Sequence, residues 1–501
     1  MTDPRFLISR RSVVLTGAGV AFALAAPWKT RADGVREIRV VAQPGRAPLV
    51  GGEPQTEVLG YDGKVPGPTL RLEQGQAVRI IVENKLDQDT TVHWHGVRVP
   101  NAMDGVPGLT QPPIKPGESF TYEFTPPDAG TFWYHPHDNS LQQLGRGLAG
   151  ALIVESPDAY AADRDILWMI GDWRLKPDGQ IAGGFGNMME AGMSGRIGNA
   201  VTINGASPTV EPVQAGERIR LRLVNSALAR IMALRIEGHH PVIVAIDGQP
   251  CDPHEPDGGR LLLGPAMRLD VVLDMVGEPG RRYRIVDDFY DDLAYRLVEL
   301  AYGEKPMERA APLGAIESLP PNPLPEPDLA NAERHELALQ GGMMSGMGGG
   351  MMGGGMMGGG MMGGGGMMDG MMGGMKGGMG GMGGMGGMGG ATWSINGMSM
   401  TGDGQADMPP LLTLKRDRTY VLTLRNETAW WHPMHLHGHS FLVVSRNGTP
   451  NPRREWKDTV LVPPKQTVDI AFVADNPGNW MLHCHIIDHQ MTGLMTVLRV
   501  A

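Results

Sequence analysis

Apolar side chains recur at every second position in Phe120-Thr121-Tyr122-Glu123-Phe124, in Ile219-Arg220-Leu221-Arg222-Leu223 and in Tyr420-Val421-Leu422-Thr423-Leu424, where Val421 is a further apolar residue between them. A period of two sends successive side chains to opposite faces of a strand, so each run predicts a half-buried β-strand. Gly, Pro, Asp and Asn punctuate the chain between such runs, and long amphipathic helical periods are hard to find. The pattern predicts an all-β protein.

Three segments repeat one another. Gly75-Gln76-Ala77-Val78-Arg79 leads to Asn84, Gly216-Glu217-Arg218-Ile219-Arg220 to Asn225, and Arg418-Thr419-Tyr420-Val421-Leu422 to Asn426. A threefold internal repeat implies three copies of one sandwich. Nine residues after Asn84 stands His93-Trp94-His95-Gly96, and nine after Asn426 stands His435-Leu436-His437-Gly438. The middle copy has Leu234-Arg235-Ile236 at that offset. Likewise His135-Pro136-His137 follows Gly130 by five residues and His483-Cys484-His485 follows Gly478 by five, whereas Gly280 leads to Ile285-Val286-Asp287. The outer copies are therefore expected to share metal work, and the middle one to be free of metal. The expected division is 33–155, 156–335 with Pro-rich Leu319 to Pro327 at its end, a Met/Gly-rich insertion at 336–391, and 392–501.

Composition narrows the setting. A length of 501 residues with 41% hydrophobic content can bury several cores. A net charge of −10 offers no basic field for phosphates, which argues against a nucleic-acid partner. Arg10-Arg11 before the apolar run Val13 to Ala26 reads as a twin-arginine export signal over residues 1–32, too short to span a bilayer, so a periplasmic location and contact with the twin-arginine export machinery are expected, with no membrane span in the mature chain. Only Cys251 and Cys484 occur, so no disulfide framework is available.

Ten of the fifteen histidines fall into four clusters: His93 and His95; His135 and His137; His432, His435 and His437; His483, His485 and His489. On a strand, residues i and i+2 share a face, so each His-X-His pair offers two imidazoles to one space. Imidazole suits copper, and Asp488 is the one carboxylate inside the clusters. In His483-Cys484-His485, alternation sends the thiol one way and both imidazoles the other, so one tripeptide can touch two sites. If Cys484 joins His432 and His489, the set is that of a blue-copper centre. A buried apolar thiol or a zinc ligand are the other readings of Cys484, and zinc gives no reason for the remaining paired histidines.

With His93-Trp94-His95-Gly96, Trp133-Tyr134-His135-Pro136-His137, His432-Pro433-Met434-His435-Leu436-His437 and His483-Cys484-His485 through His489, the chain resembles the three-domain multicopper oxidases, the family of laccases and bacterial copper-tolerance oxidases. The resemblance implies three cupredoxin-like Greek-key β-sandwich domains and four copper ions. It makes His432, Cys484 and His489 the type 1 ligands, His93 and His435 those of type 2, and His95, His135, His137, His437, His483 and His485 those of the type 3 pair. Where bacterial copper-tolerance relatives carry an axial methionine, this chain has Leu494, which cannot coordinate; Met495 is one residue further, on the opposite face by alternation. Asp104 matches an acid that assists proton delivery in the family, with a turn aspartate before Gly105 as its other reading. Gln490 stands where some relatives carry an acid, and Asp458 matches a segment near the type 1 site, with a structural role as its equal reading. Cys251, His239 and His240 read as structural.

Between Met343 and Met388 the chain is Met and Gly, interrupted only by Ser345, Asp369 and Lys376. Such glycine content opposes helix and packed core and fits a plain spacer. Thioethers are also soft ligands for Cu(I), so Met343, Met344, Met351, Met352, Met356, Met357, Met361, Met362, Met367, Met368, Met371 and Met372 form a candidate copper-gathering loop. The expected activity is oxidation of Cu(I) with reduction of dioxygen to water. A laccase-like oxidation of phenols or aromatic amines is the second reading, and a copper-binding buffer protein the third. A buffer needs no such matched set of histidines.

Overall fold

A computed structural model describes residues 34–52, 55–158, 160–208, 210–309, 312–343, 392–404 and 408–501. The expected export signal and every loop methionine named above except Met343 lie outside the described residues.

Strands dominate, and they group into three pairs of sheets. In the first pair, Thr56–Tyr61, Arg36–Ala47, Val78–Asn84 and Ser119–Phe124 form one sheet, and Gly67–Glu73, Gly150–Glu155, Gly130–His135 and His93–His95 form the other. One cluster of buried side chains, including Val40, Ile80, Tyr122, Trp94 and Leu152, draws on both sheets, which makes the pair a sandwich. The middle region pairs a six-stranded with a five-stranded sheet, and the third a seven-stranded with a five-stranded sheet, each around its own core. All three cores are built on the period-two faces, but the strand Arg218–Asn225 is buried on both faces rather than half-buried, because Arg220 and Arg222 are paired with Asp270 and Asp165.

The repeats correspond strand for strand. Arg36–Ala47 runs parallel to Val78–Asn84, Arg164–Trp173 to Arg218–Asn225, and Glu333–Gly341 to Thr419–Asn426. Each second strand ends in the asparagine on which the repeats align, and each asparagine makes the same clamp. The side-chain amide of Asn84 donates to the carbonyls of Gln88 and Ile114, that of Asn225 to Arg230 and Leu263, and that of Asn426 to Trp430 and Val462, at 2.7–3.1 Å. The Oδ1 atoms accept from the backbone N–H two residues on. A buried amide satisfied this way fixes the turn that delivers the next strand, in the outer copies the first histidine strand.

One expected boundary moves. Residues 336–341, assigned from sequence to the insertion, belong to a strand of the third sandwich that begins at Glu333, well before 392. Leu337 and Leu339 are buried there, a period-two signal hidden by the Met/Gly tract beside it. The same strand pairs with Trp393–Ile395, so the insertion leaves and rejoins the chain at the tip of a hairpin, where Gly342 N donates to Thr392 O at 3.0 Å. The Pro-rich junction is pinned rather than free: Asn322 donates to Ala129 O and to Gln249 Oε1, both at 2.8 Å.

Asn225→Ala removes the clamp where no metal ligand follows and strands two buried carbonyls. Equilibrium denaturation is expected to show a loss of about 2–3 kcal/mol with unchanged copper content; an unchanged midpoint would show that the clamp does not hold the turn.

Candidate metal centre

Alternation decides where each histidine points. Trp94 packs into the first core while His93 and His95 face away from it, and Met434 and Leu436 pack into the third core while His435 faces away. These faces are nevertheless fully buried, because the first and third sandwiches press them together. Cross-strand register completes the arrangement: His93 lies opposite His135 and His435 opposite His483. In the middle sandwich the corresponding pairing sets Leu234 against Asp287 and Ile236 against Ile285, and neither pair offers an imidazole.

Three groups of imidazoles result, with potential ligand atoms within 4.8 Å of one another: His93, His95 and His435; His95, His135 and His485; His137, His437 and His483. The two triads that exclude His93 and His435 each take residues from both outer sandwiches. His93 Nε2 faces His435 Nε2 at 3.4 Å, His135 Nε2 faces His485 Nε2 at 3.4 Å, and His437 Nε2 faces His483 Nε2 at 3.0 Å. The far nitrogens of these rings are occupied except that of His485, whose Nδ1 is buried without a hydrogen-bond partner. Nδ1 of His93, His135, His137, His435 and His483 contacts the carbonyls of Asp104, Pro136, Asp403, Asp458 and Cys484 at 2.8–3.1 Å, which places the proton on Nδ1 and the lone pair on Nε2. Lone pairs then confront each other across about 3 Å, and buried His137 Nε2 and His95 Nδ1 have no hydrogen-bond partner. Such an array is satisfied by cations between the rings, with the carbonyls orienting each ring from behind. Burial, reinforced by neighbouring imidazoles, holds His95, His135, His437, His483 and His485 well below the ordinary histidine range, and His137 is pushed down to about 3. Neutral imidazole is the ligating form.

Cys484 points the other way, into the third core. Its Sγ lies 3.5 Å from His432 Nδ1 and 3.6 Å from His489 Nδ1, and the two nitrogens are 3.2 Å apart. Outer contacts again orient the rings: His432 Nε2 meets Thr428 Oγ1 at 2.9 Å, and His489 Nε2 meets the carbonyl of Met193, from the middle sandwich, at 2.8 Å. Burial raises the Cys484 thiol far above its usual value, so without a cation it stays protonated. Leu494 shares the Cys484 core cluster, whereas Met495 packs with Val106 and Met481 in a different one. The trio is thus a soft site, two nitrogens and one sulfur, and Leu494, at the expected axial position, has no donor atom to add.

Asp104 stands at the histidine groups, its Oδ2 at 2.9 Å from His437 Nδ1 and its Oδ1 at 3.2 Å from His93 Nδ1. Asp458 is corrected: it lies beside the imidazoles, not the thiol trio, with Oδ1 3.1 Å from His95 Nε2. Its partner is Arg268 of the middle sandwich, buried with it. The Arg268 guanidinium holds the Asp458 carboxyl well below the usual range, against burial that alone would raise it. Sequence reading missed Arg268 and Met193 because the middle copy has no ligand motif; the only signal was an arginine and a methionine among apolar runs. Cys251 is a lone buried thiol, His239 is buried against Tyr302, and His240 is exposed; none joins a ligand group.

Multicopper oxidase family models match residues 43–159, 164–302 and 386–501. Multicopper oxidase MmcO of Mycobacterium tuberculosis is 30% identical over 96% of this chain and 90% of its own length. Copper resistance protein A of Escherichia coli is 27% identical over 98% of this chain and 99% of its own. The crystal structure of a multicopper oxidase from Pseudomonas thermotolerans superposes with a TM-score of 0.78 at 33% identity, covering 93% of this chain and 99% of that one.

The depressed histidines carry a pH signature. Below about 6.5 the unfolded chain takes up protons that the folded chain refuses, so stability falls as pH drops, by up to about 1.4 kcal/mol per pH unit for each such residue. Copper-free protein is therefore expected to unfold at markedly lower denaturant at pH 5 than at pH 7.5; equal midpoints would contradict buried neutral imidazoles.

Proposed function

The chain belongs to the multicopper oxidase family, copper-dependent oxidoreductases with dioxygen as acceptor, and from that premise we propose that it is a periplasmic cuprous oxidase. Four Cu(I) ions each give one electron, and one dioxygen with four protons becomes two waters. His432, Cys484 and His489 are the type 1 ligands, His93 and His435 hold type 2, and the type 3 pair divides into His95, His135 and His485 on one ion and His137, His437 and His483 on the other. When bound, the copper ions supply one-electron redox chemistry at the thiolate and multi-electron oxygen reduction at the imidazole groups. The backbone from Cys484 to His483 and His485 is the short covalent link between the two sites. Asp104, with Oδ2 2.9 Å from His437 Nδ1, stands beside the imidazole cluster as the candidate proton-relay residue.

The observation that carries the cuprous reading is where the Met-rich insertion is rooted. Met343 N donates to Gly192 O at 2.7 Å, and Trp430 Nε1 donates to Met343 O at 3.1 Å. One residue after Gly192, Met193 contacts His489. Just before it, Met188 and Met189 stand 67% and 56% exposed, an uncommon state for large apolar side chains and a serviceable one for soft ligands. The insertion therefore departs beside the type 1 residues, next to a segment that carries Met188, Met189 and Met193. Export is supported by the paired Arg10-Arg11, and copper tolerance by the name of the Escherichia coli relative.

Leu494 favours a second reading. A type 1 site with no axial thioether and an apolar shell has a raised potential, which suits oxidation of phenols or aromatic amines in the manner of a laccase.

Oxygen uptake driven by Cu(I) and by a simple phenol separates the two. Residues 344–391 can be replaced by a short glycine turn, because the hairpin ends already meet. The deletion is expected to suppress Cu(I) turnover several-fold while sparing or raising phenol turnover. If both rates survive unchanged, the insertion is a spacer and the laccase reading replaces the cuprous one.

A further inference from the structure

Arg268 starts a strand of the middle sandwich, the domain without ligands, yet its guanidinium ends among groups from all three domains. Every one of its donors is used. Nη1 donates to Asp458 Oδ1 at 2.8 Å and to Ala266 O at 3.2 Å, Nη2 to Asp458 Oδ2 at 2.6 Å and to Asp247 O at 2.9 Å, and Nε to Thr131 O at 3.2 Å. A planar fork of five donors satisfied in this way has one orientation only, and it grips both oxygens of Asp458. Asp458 Oδ1 also accepts from Thr459 Oγ1 at 2.8 Å and meets His95 Nε2 at 3.1 Å.

His95 differs from its neighbours. Five of the surrounding rings turn Nδ1 to a backbone carbonyl and keep Nε2 for the metal space. His95 does the reverse: Nε2 is taken by Asp458 and Thr459, and Nδ1 is buried without a hydrogen-bond partner. Gly96, at φ +84, makes room for the device, since a Cβ there would sit 2.3 Å from Arg268 Nη2 and 2.4 Å from Asp458 Oδ2.

We infer that Arg268 is a positioning residue of the trinuclear site: by fixing the Asp458 carboxylate it keeps the proton of His95 on Nε2 and presents Nδ1 to copper. This rests on the ligand assignment proposed above. It gives the ligand-free middle domain a part in building the cluster, and it makes type 3 copper retention depend on how that domain is seated against the other two. A lysine at 268 keeps the charge and loses the fork, so it restores only part of the effect.

The test uses the copper-loaded full chain with Arg268→Lys and Arg268→Met, and Arg218→Met as a control, an arginine of the same domain paired with Asp274 and touching no ligand. Copper is withdrawn by graded chelator while the blue absorption of the thiolate site and the type 2 resonance signal are followed. In Arg268→Met the imidazole cluster is expected to lose copper at about 10- to 100-fold lower chelator, with the blue colour retained, as second-layer contacts to metal ligands generally govern affinity on that scale. Arg268→Lys is expected in between, and Arg218→Met to lower thermal stability with unchanged copper affinity. If Arg268→Met does not fold, Arg268→Met/Asp458→Asn removes the uncompensated buried charge and is read the same way. Cluster affinity equal to that of the starting protein, or parallel loss from both sites, overturns the inference. A starting protein that holds no copper at the imidazole groups overturns the ligand assignment instead.

Discussion

Eight imidazoles meet in a space closed to water, and their lone pairs face one another across about 3 Å. That juxtaposition is unfavourable for the bare protein, because the rings can neither hydrogen-bond to each other nor take up protons without charging a buried cluster. The remainder of the structure serves to hold it. Asparagine clamps deliver the strands, backbone carbonyls fix the tautomers, and two sandwiches close over the faces that carry the ligands. Cations resolve the conflict, so folding supplies the rigidity and metal the compensation.

The split into two kinds of site is a property of the β-strand. His483 and His485 leave one face and Cys484 the other, so a thiol in the third core lies one peptide unit from the imidazoles at the domain boundary. What the strand adds to this one-peptide link is the fixed opposition of faces. The cost is that the thiol site is deeply covered: Met193 and Trp393 pack on His489, the latter ring at 4.3 Å between centroids. Protein, not solvent, therefore borders the thiol site.

Much of this was legible in the sequence. Period-two runs, the threefold repeat anchored on Asn84, Asn225 and Asn426, and matched offsets to the histidine pairs gave the sandwiches and the ligand-bearing strands. Alternation alone separated Leu494 from Met495. What stayed hidden had no local pattern. Arg268, Asp458 and Met193 act through contacts between domains, and nothing in the order of residues says that an arginine of one repeat grips a carboxylate of another. For that reason the match of Asp458 to a segment near the type 1 site misled, while its alternative reading as a structural residue left its partners unnamed. Residues 333–341 escaped notice because the strand adjoins a low-complexity tract whose composition overwhelmed its two buried leucines.

Metal content, counted together with colour, bears most directly on the whole account. Purified chain reconstituted with copper is expected to bind one ion at the thiol trio and three at the imidazole groups, with intense blue absorption, and Cys484→Ser to lose the colour and that single ion while keeping the other three. Saturation below this stoichiometry, a preference for zinc over copper, or a serine variant that stays blue would contradict it.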